Sequence, residues 1–462
     1  MRTRADRSRW IAALALLLCV PAAPALGPHE ILVLANRASP RSVEIAREFM
    51  RLRQVPAPNL LLLDLPEALF RTSLSVSPRE FTTRIWDPAQ IYVRTHGLAD
   101  HVLAWVYSVD FPIRVTTAPP LSITGLTFLR NRLPDLRTVD NGSYLSLLYA
   151  GPETIGQAAF GAQSFDVQRA WLGADMPLPA MMLGFAGERG NSVAEILACL
   201  RRGVAADGTF PRGTVYFVLS DDIRSLCRQW QFPPAVEELR RVGIHGVITN
   251  APPRGDPSIL GIMLGTAVVD TAGLGAFVPG AVAEHLTSLA AYFDIEGQTK
   301  LSAWIRAGAT ASAGTVAEPR SIWSKFPHAR VFAHSAAGCT LIEALYQSYR
   351  CPLQALIVGE PLAAPWQPRA EVRLEGLPAQ AAGPMTVSAT VTAPPGDVYV
   401  RFTFLLDGRP VPGDAGTPRI TVNAADLEPG PHTLRAVALR AGPVRTQAFG
   451  EQTFLVKEGG RR

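Results

Sequence analysis

Apolar and polar positions alternate along this chain in blocks, and the blocks change period in a regular order. HEILVLANR (29–37) is a continuous apolar run closed by Asn36 and Arg37, the pattern of a strand buried on both faces. SPRSVEIAREFMRLRQV (39–55) follows with apolar residues at helical spacing, Ser39 placed as N-cap and Pro40 at the first helical position. NLLLLDLP (59–66) predicts a second buried strand. SPRE (77–80) is a capping box that opens another helix, and HVLAWVYSVDFPIRV (101–115) predicts a third strand. Strand, helix, strand, helix, strand is the order of a parallel sheet with helical crossovers.

After a looser middle rich in Pro, Gly and Asn (116–175), the alternation resumes. PAMMLGFAG, GTVYFVLSDD, HGVITN, ILGIMLGTAVV and AFVPGAV predict strands, with helices at NSVAEILACLRRGVAA and PPAVEELRRVG. TKLSAWIRAG predicts a helix stopped by Gly308, TASAGTVAEP a strand, GCTLIEALYQSY a helix and LQALIVGEPLAAPW a last strand. The period changes near residue 367. Val387, Ala389 and Val391 alternate with polar neighbours, as do Val398, Val400, Phe402 and Phe404, and Asp407-Gly408 is a hairpin turn signal. About seven short strands over 368–457 fit a small β-sandwich. The fold expected is therefore α/β, a mainly parallel sheet with helices on both faces, over 27–367, followed by an all-β domain over 368–462.

Composition adds little to this until the charge is located. The hydrophobic fraction is 48% and the charged fraction 18%, which suits a packed protein. Arg2, Arg4, Arg7 and Arg9 against Asp6 contribute +3 of the formal +5, and Lys457, Glu458, Arg461 and Arg462 the other +2. The body is about neutral, so nothing points to a nucleic-acid partner. The basic opening, the apolar run IAALALLLCV and the small-residue exit PAAPALG have the order of an export leader, residues 1–26, with Ala23-Pro24-Ala25 as its A-x-A site and the mature chain starting near Gly27 or Pro28. The run is short for a membrane span, and no later stretch replaces it as a transmembrane anchor. The expected location is periplasmic or extracellular, with a protein or polysaccharide partner there. Four cysteines then remain, Cys199, Cys227, Cys339 and Cys351. A helix through 339–351 would hold its two cysteines about 18 Å apart, too far for a disulfide. Pairing of all four would have to join the two distant clusters, and four free thiols are the alternative.

Several residues invite a chemical reading. Ser312 in Thr310-Ala311-Ser312-Ala313-Gly314 is close to a nucleophile elbow, but a helix precedes it and a strand contains it, the reverse of the order an elbow needs. It reads as a small residue on a buried strand. His96-Gly97 reads as a helix end, and Asp222, beside Asp221, as the N-cap of IRSLCR. The eight histidines form no HExxH or zinc-spaced cluster, and there is no P-loop or GxGxxG, so neither metal nor cofactor is expected. Glu284, His285 and Ser288 in AEHLTSLAAYF bring a carboxylate, an imidazole and a hydroxyl within five residues. They are the candidate catalytic residues, against the plainer reading of a polar turn leading into a helix.

VAEHLTSLAAYF, QTKLSAWIRAGATASAGTVAEPRSIWSKFPHARVF and GCTLIEALYQSYRCPLQALIVGEPLAAPW together resemble the C-terminal half of a family of exported bacterial proteins of unknown function. Those proteins occur in genomes carrying the exosortase/PEP-CTERM sorting system, and the opening segment 31–66 and SVDFPIRV resemble that family's first strands. VGEPLAAP is similar to the Gly-Asp-Pro-Leu end of gingipain-type cysteine peptidase domains of caspase-like fold, with Glu360 in place of Asp. That resemblance implies a His-Gly pair after one strand and a nucleophilic Cys after the next. The positions fall near 261–270, which holds no histidine, and near AEHLTSLAAYF, which offers Ser288 but no cysteine. The resemblance thus implies a degenerate, non-catalytic peptidase-like domain that binds or assembles, with a serine-based hydrolase around Ser288 as the alternative. The last domain resembles immunoglobulin-like or fibronectin type III-like modules.

Overall fold

The computed structural model describes residues 25–151, 161–413 and 416–457. The expected leader lies almost wholly outside them. Ten strands form one sheet: β1 (Ile31–Asn36), β2 (Leu60–Leu63), β3 (Ala104–Tyr107), β4 (Ala180–Met182), β5 (Thr214–Val218), β6 (His245–Thr249), β7 (Asp256–Gly265), β8 (Gly275–Leu286), β9 (Ala311–Thr315) and β10 (Ala355–Gly359). Their order across the sheet is β2-β1-β3-β4-β10-β9-β8-β7-β5-β6. Neighbours on either side of β10 pair in parallel, and β10 runs antiparallel to β9. The chain is thus α/β, and all residues of β1, β3, β4, β9 and β10 are buried, β3, β4 and β10 as apolar runs and β9 as small residues.

Helices α1 (Pro40–Arg53), α2 (Asp87–Thr95), α3 (Val193–Ala206), α4 (Phe232–Arg241), α5 (Leu301–Ala307) and α6 (Leu341–Ser348) are the main crossovers. Their starts follow the side-chain chemistry. Ser39 accepts from Ser42 N ahead of α1, and Ser192 and Thr340 close capping boxes with Glu195 and Glu343 ahead of α3 and α6. The capping box at Ser77 opens the turn Pro78–Phe81, which runs through a wider turn, Thr82–Trp86, into α2.

Three expectations need correction. The run 101–115 is not one strand: β3 ends at Tyr107, Asp110 has φ of 60°, and Arg114–Val115 joins a separate three-stranded sheet with Ser75–Val76 and Leu121–Ser122. The looser middle contains helices Ile123–Phe128, Leu136–Asp140 and Phe165–Leu172. AEHL is neither turn nor helix start. It is the end of β8, prolonged because buried partners from elsewhere satisfy its polar side chains.

The second domain begins beyond β10. Strands β11 (Glu371–Glu375), β12 (Gln380–Ala381), β13 (Pro384–Thr392), β14 (Tyr399–Leu406), β15 (Arg409–Pro410), β16 (Arg419–Asn423), β17 (Gly430–Arg440) and β18 (Gln447–Val456) form sheets ordered β11-β13-β16 and β12-β18-β17-β14-β15. Val372, Val387, Phe402, Phe404, Leu434 and Phe454 form part of the core between them. Asp407 and Gly408 both take positive φ in the β14–β15 hairpin, as Asp-Gly allows. The two domains share a hydrogen-bonded seam: Arg435 Nη2 donates to Gln54 O at 2.7 Å, Ser164 N to Pro443 O at 3.0 Å, and Arg445 Nη1 to Asp166 Oδ2 at 3.1 Å.

Candidate functional site

Open parallel sheets place ligands beyond the carboxyl ends of their strands, where connections leave in opposite directions. In the second half of this sheet that point lies between β5 and β7, next to the end of β8. The chain's own residues fill it. Asp222 caps a short helix, Ile223–Leu226, by accepting from Arg224 N, and Asp221 beside it is exposed. This helix sits directly on the strand end because Gly265 has no side chain; a Cβ there would stand 2.3 Å from the Arg224 backbone. Arg228 follows and is fully buried. It donates to Leu264 O and pairs with the Glu284 carboxylate. Burial pushes Glu284 up to about 7, against the pull of Arg228.

Glu284 and His285 are consecutive on β8, so their side chains leave opposite faces of the sheet. His285 turns to the Trp304 ring, with centroids 5.6 Å apart, and its Nε2 lies 2.8 Å from Thr266 O. A carbonyl partner requires that nitrogen to carry the hydrogen, leaving the lone pair on Nδ1, which is buried without a partner. Burial lowers the imidazole to about 4, so it is neutral at physiological pH.

Ser288 lies just past the end of β8. Its Oγ donates to Glu318 Oε1 at 3.2 Å, and it is 6% exposed. Neither His285 nor Glu284 is its hydrogen-bond partner. The structure therefore brings together Ser288 with Glu318, Glu284 with Arg228, and His285 with Thr266, and it does not assemble the three sequence candidates into a relay. Arg228 carries no local sequence signal; it lies far from Glu284 in the chain and stands in a stretch with the pattern of an ordinary helix.

The segment after Ser288 closes this edge. Gly314 has no side chain to keep it off β9: a Cβ there would stand 2.5 Å from Ala290 Cβ. Phe293 stacks on Phe185 beyond β4, with centroids 3.8 Å apart, and its carbonyl accepts from Arg189 Nη1 at 3.0 Å. Arg114 holds Asp294 at 2.8 Å and lies over the Tyr292 ring. Residues 289–294 thus strap the carboxyl end of the second half of the sheet to that of the first.

The remaining candidates have structural partners. Ser312 is on β9 with its Oγ buried and unpaired. His96 ends α2 with its ring stacked on Tyr92, and Gly97 takes φ of 69° as the helix stop. All four cysteines are free; burial pushes the Cys199 thiol up to about 12 and that of Cys351 up to about 11, and raises Cys339 and Cys227 as well. None of them is a thiolate near neutrality. Glu360 lies just past the end of β10, beside the start of β9, its N–H on Thr310 O, and takes Arg53 Nε at 2.9 Å; Arg53 also binds Asp207. Among the described residues no group of three or more His, Cys, Asp or Glu side chains is placed to hold a metal ion, and no helix is long and apolar enough to cross a membrane. An apolar pocket of about 170 Å³, lined in part by Leu148, Tyr149, Gln168 and Trp171, includes none of the catalytic candidates.

No family model matches the chain, and no curated protein does. Among solved structures, the fibronectin(III)-like modules of Clostridium thermocellum CbhA align over 23% of this chain and 53% of theirs, at 16% identity and TM-score 0.17. This chain thus spans about half the length of that structure. The Clostridium perfringens spore cortex lytic enzyme SleM aligns over 78% of this chain and 92% of its own, at 9% identity and TM-score 0.20. The endo-beta-1,4-mannanase from Thermotoga petrophila aligns over 81% and 83%, at 8% identity and TM-score 0.17.

Proposed function

We propose that this protein is a non-catalytic, peptidase-like binding or assembly protein that works outside the cytoplasm with a protein or polysaccharide partner. The observation that carries this reading is the occupied carboxyl edge of the sheet. Activated-nucleophile chemistry needs a base within hydrogen-bond reach of the nucleophile and room for a substrate beside both. Here the imidazole is tied to Thr266, the buried carboxylate to Arg228, and Ser288, 6% exposed at the start of the strap, bonds to Glu318. The two strand ends at which the gingipain-type resemblance would put a His-Gly pair and a cysteine carry Gly265-Thr266 and Thr287-Ser288. The seam between the domains supports a role for the sandwich as a module docked on the α/β domain.

One contact favours the alternative of a secreted hydrolase: Glu318 is within hydrogen-bond distance of Ser288 and is itself exposed. Incubation of the purified protein, its Ser288→Ala variant and its Glu318→Gln variant with a diverse peptide library separates the two readings by mass spectrometry. The binding reading predicts no cleavage by any of the three. Cleavage by the wild type that is lost in either variant establishes the hydrolase.

A further inference from the structure

The seam between the domains buries an acid that has no cation. Glu30 ends the turn Pro28–Glu30 ahead of β1, is 8% exposed, and meets Gln447 on β18 of the sandwich. Its Oε2 accepts from Gly27 N at 2.7 Å and from Gln447 Nε2 at 2.6 Å, and its Oε1 accepts from no group among the described residues. Gln447 Nε2 also donates to Ala25 O at 3.0 Å, so two acceptors fix which way the amide points. That leaves Gln447 Oε1 buried with no donor, a costly state for an acceptor out of water. A carboxyl O–H is the donor that this amide lacks, and a neutral acid beside a neutral amide needs no cation.

The charges around Glu30 act in the same direction. Asp166, on the helix Phe165–Leu172, and Glu343, on α6, both disfavour a further negative charge there. The cations of the seam are engaged elsewhere: Arg445 holds Asp166 at 3.1 Å, and Arg435 holds Glu451 at 2.7 Å. His29 supplies no charge either, because burial against the stacked His101 ring keeps it neutral. Burial, with the two acidic neighbours, pushes the Glu30 carboxyl up to about 8. We propose that Glu30 keeps a proton while the domains are docked, so that the seam is a pH-sensitive latch, closed on a neutral acid–amide pair and loosened in alkali. Once undocked, Glu30 meets water and returns toward its ordinary 4.5. Between 4.5 and about 8 the docked state therefore binds one more proton than the undocked one. Docking is strongest at the acid end of that window and weakens about tenfold per pH unit as pH rises through it. Above about 8 both states are ionised and the dependence levels off. The latch regulates the docked module of the reading above and does not rest on the lack of catalysis, so the peptide-library result bears on that reading alone.

Hydrogen exchange at the seam tests the latch. Ser164 N donates to Pro443 O across it, and Arg445 N to Ser164 Oγ, so both amides exchange when the domains part. The full chain is produced without export, and its intact mass must show the leader in place, because a free amine at Gly27 would put a cation beside Glu30. Exchange in peptides covering Ser164 and Arg445 is measured at about pH 6.5 and about pH 8.5 and corrected for the intrinsic effect of pH on amide exchange. Wild type is expected to exchange at least ~10-fold faster at the higher pH. Glu30→Gln, neutral at both values, is expected to lose that rise. Equal corrected rates in wild type, or a rise that survives in Glu30→Gln, overturn the latch. Should Glu30→Gln fail to fold, Asp166→Asn removes a negative neighbour and frees Arg445, both of which favour ionised Glu30. That variant is expected to bring the levelling-off, near pH 8 in wild type, to lower pH. An unchanged levelling-off overturns the latch as well.

Discussion

At the residue scale, His285 has a signature that distinguishes a packed imidazole from a working base. Its folded-state value is about 4, below the 6.5 of an unfolded histidine. A depressed basic group contributes stability that is fully present above the unfolded value and is lost as pH falls through the folded one. Wild type should therefore lose about 1.4 kcal/mol more per pH unit than His285→Gln between pH 6.5 and 4. Urea unfolding of both proteins at several pH values measures it, and parallel pH profiles would refute the assignment. The histidine, the glutamate beside it and the nearby serine were legible as chemistry-bearing residues. Their separation was not, because it depends on β8 continuing through Glu284 and His285. That continuation needs Arg228 to offset a buried carboxylate and the Thr266 carbonyl to hold an imidazole, and neither partner is a local neighbour.

At the element scale, apolar periodicity located nearly every strand of the large sheet, because strands covered on both faces need unbroken apolar runs. Caps were equally legible at Ser39, Ser77 and Asp222, where a short polar side chain precedes the first turn. Period two misled in β14. Val398 and Val400 share parity with Phe402 and Phe404, yet they are 59% and 53% exposed while the phenylalanines are buried. A register shift between Tyr399 and Arg401 against β17 separates the two sets, and a bulge of this kind leaves no mark in the alternation. Phe402→Ala should accordingly cost about 3 kcal/mol of stability, and Val400→Ala less than ~0.5 kcal/mol. Denaturant titration checks the pair, and equal costs would contradict the described register.

At the scale of the whole molecule, one sheet joins two parallel blocks through the antiparallel β10, and both blocks contribute loops to the strap over the carboxyl edge. The strap crosses between segments more than a hundred residues apart in sequence, Phe185 to Phe293 and Arg114 to Asp294, which is why only its residues, and not its closure, could be read beforehand. Closure decides between a docking protein and a hydrolase. The most direct measurement is covalent labelling of Ser288: the folded protein is incubated with a fluorophosphonate, which modifies only activated serine nucleophiles, and adducts are located by peptide mass spectrometry. The account predicts no adduct at Ser288 in wild type or in Glu318→Gln. Stoichiometric modification of Ser288 that disappears on unfolding would contradict it and make this edge of the sheet an active site.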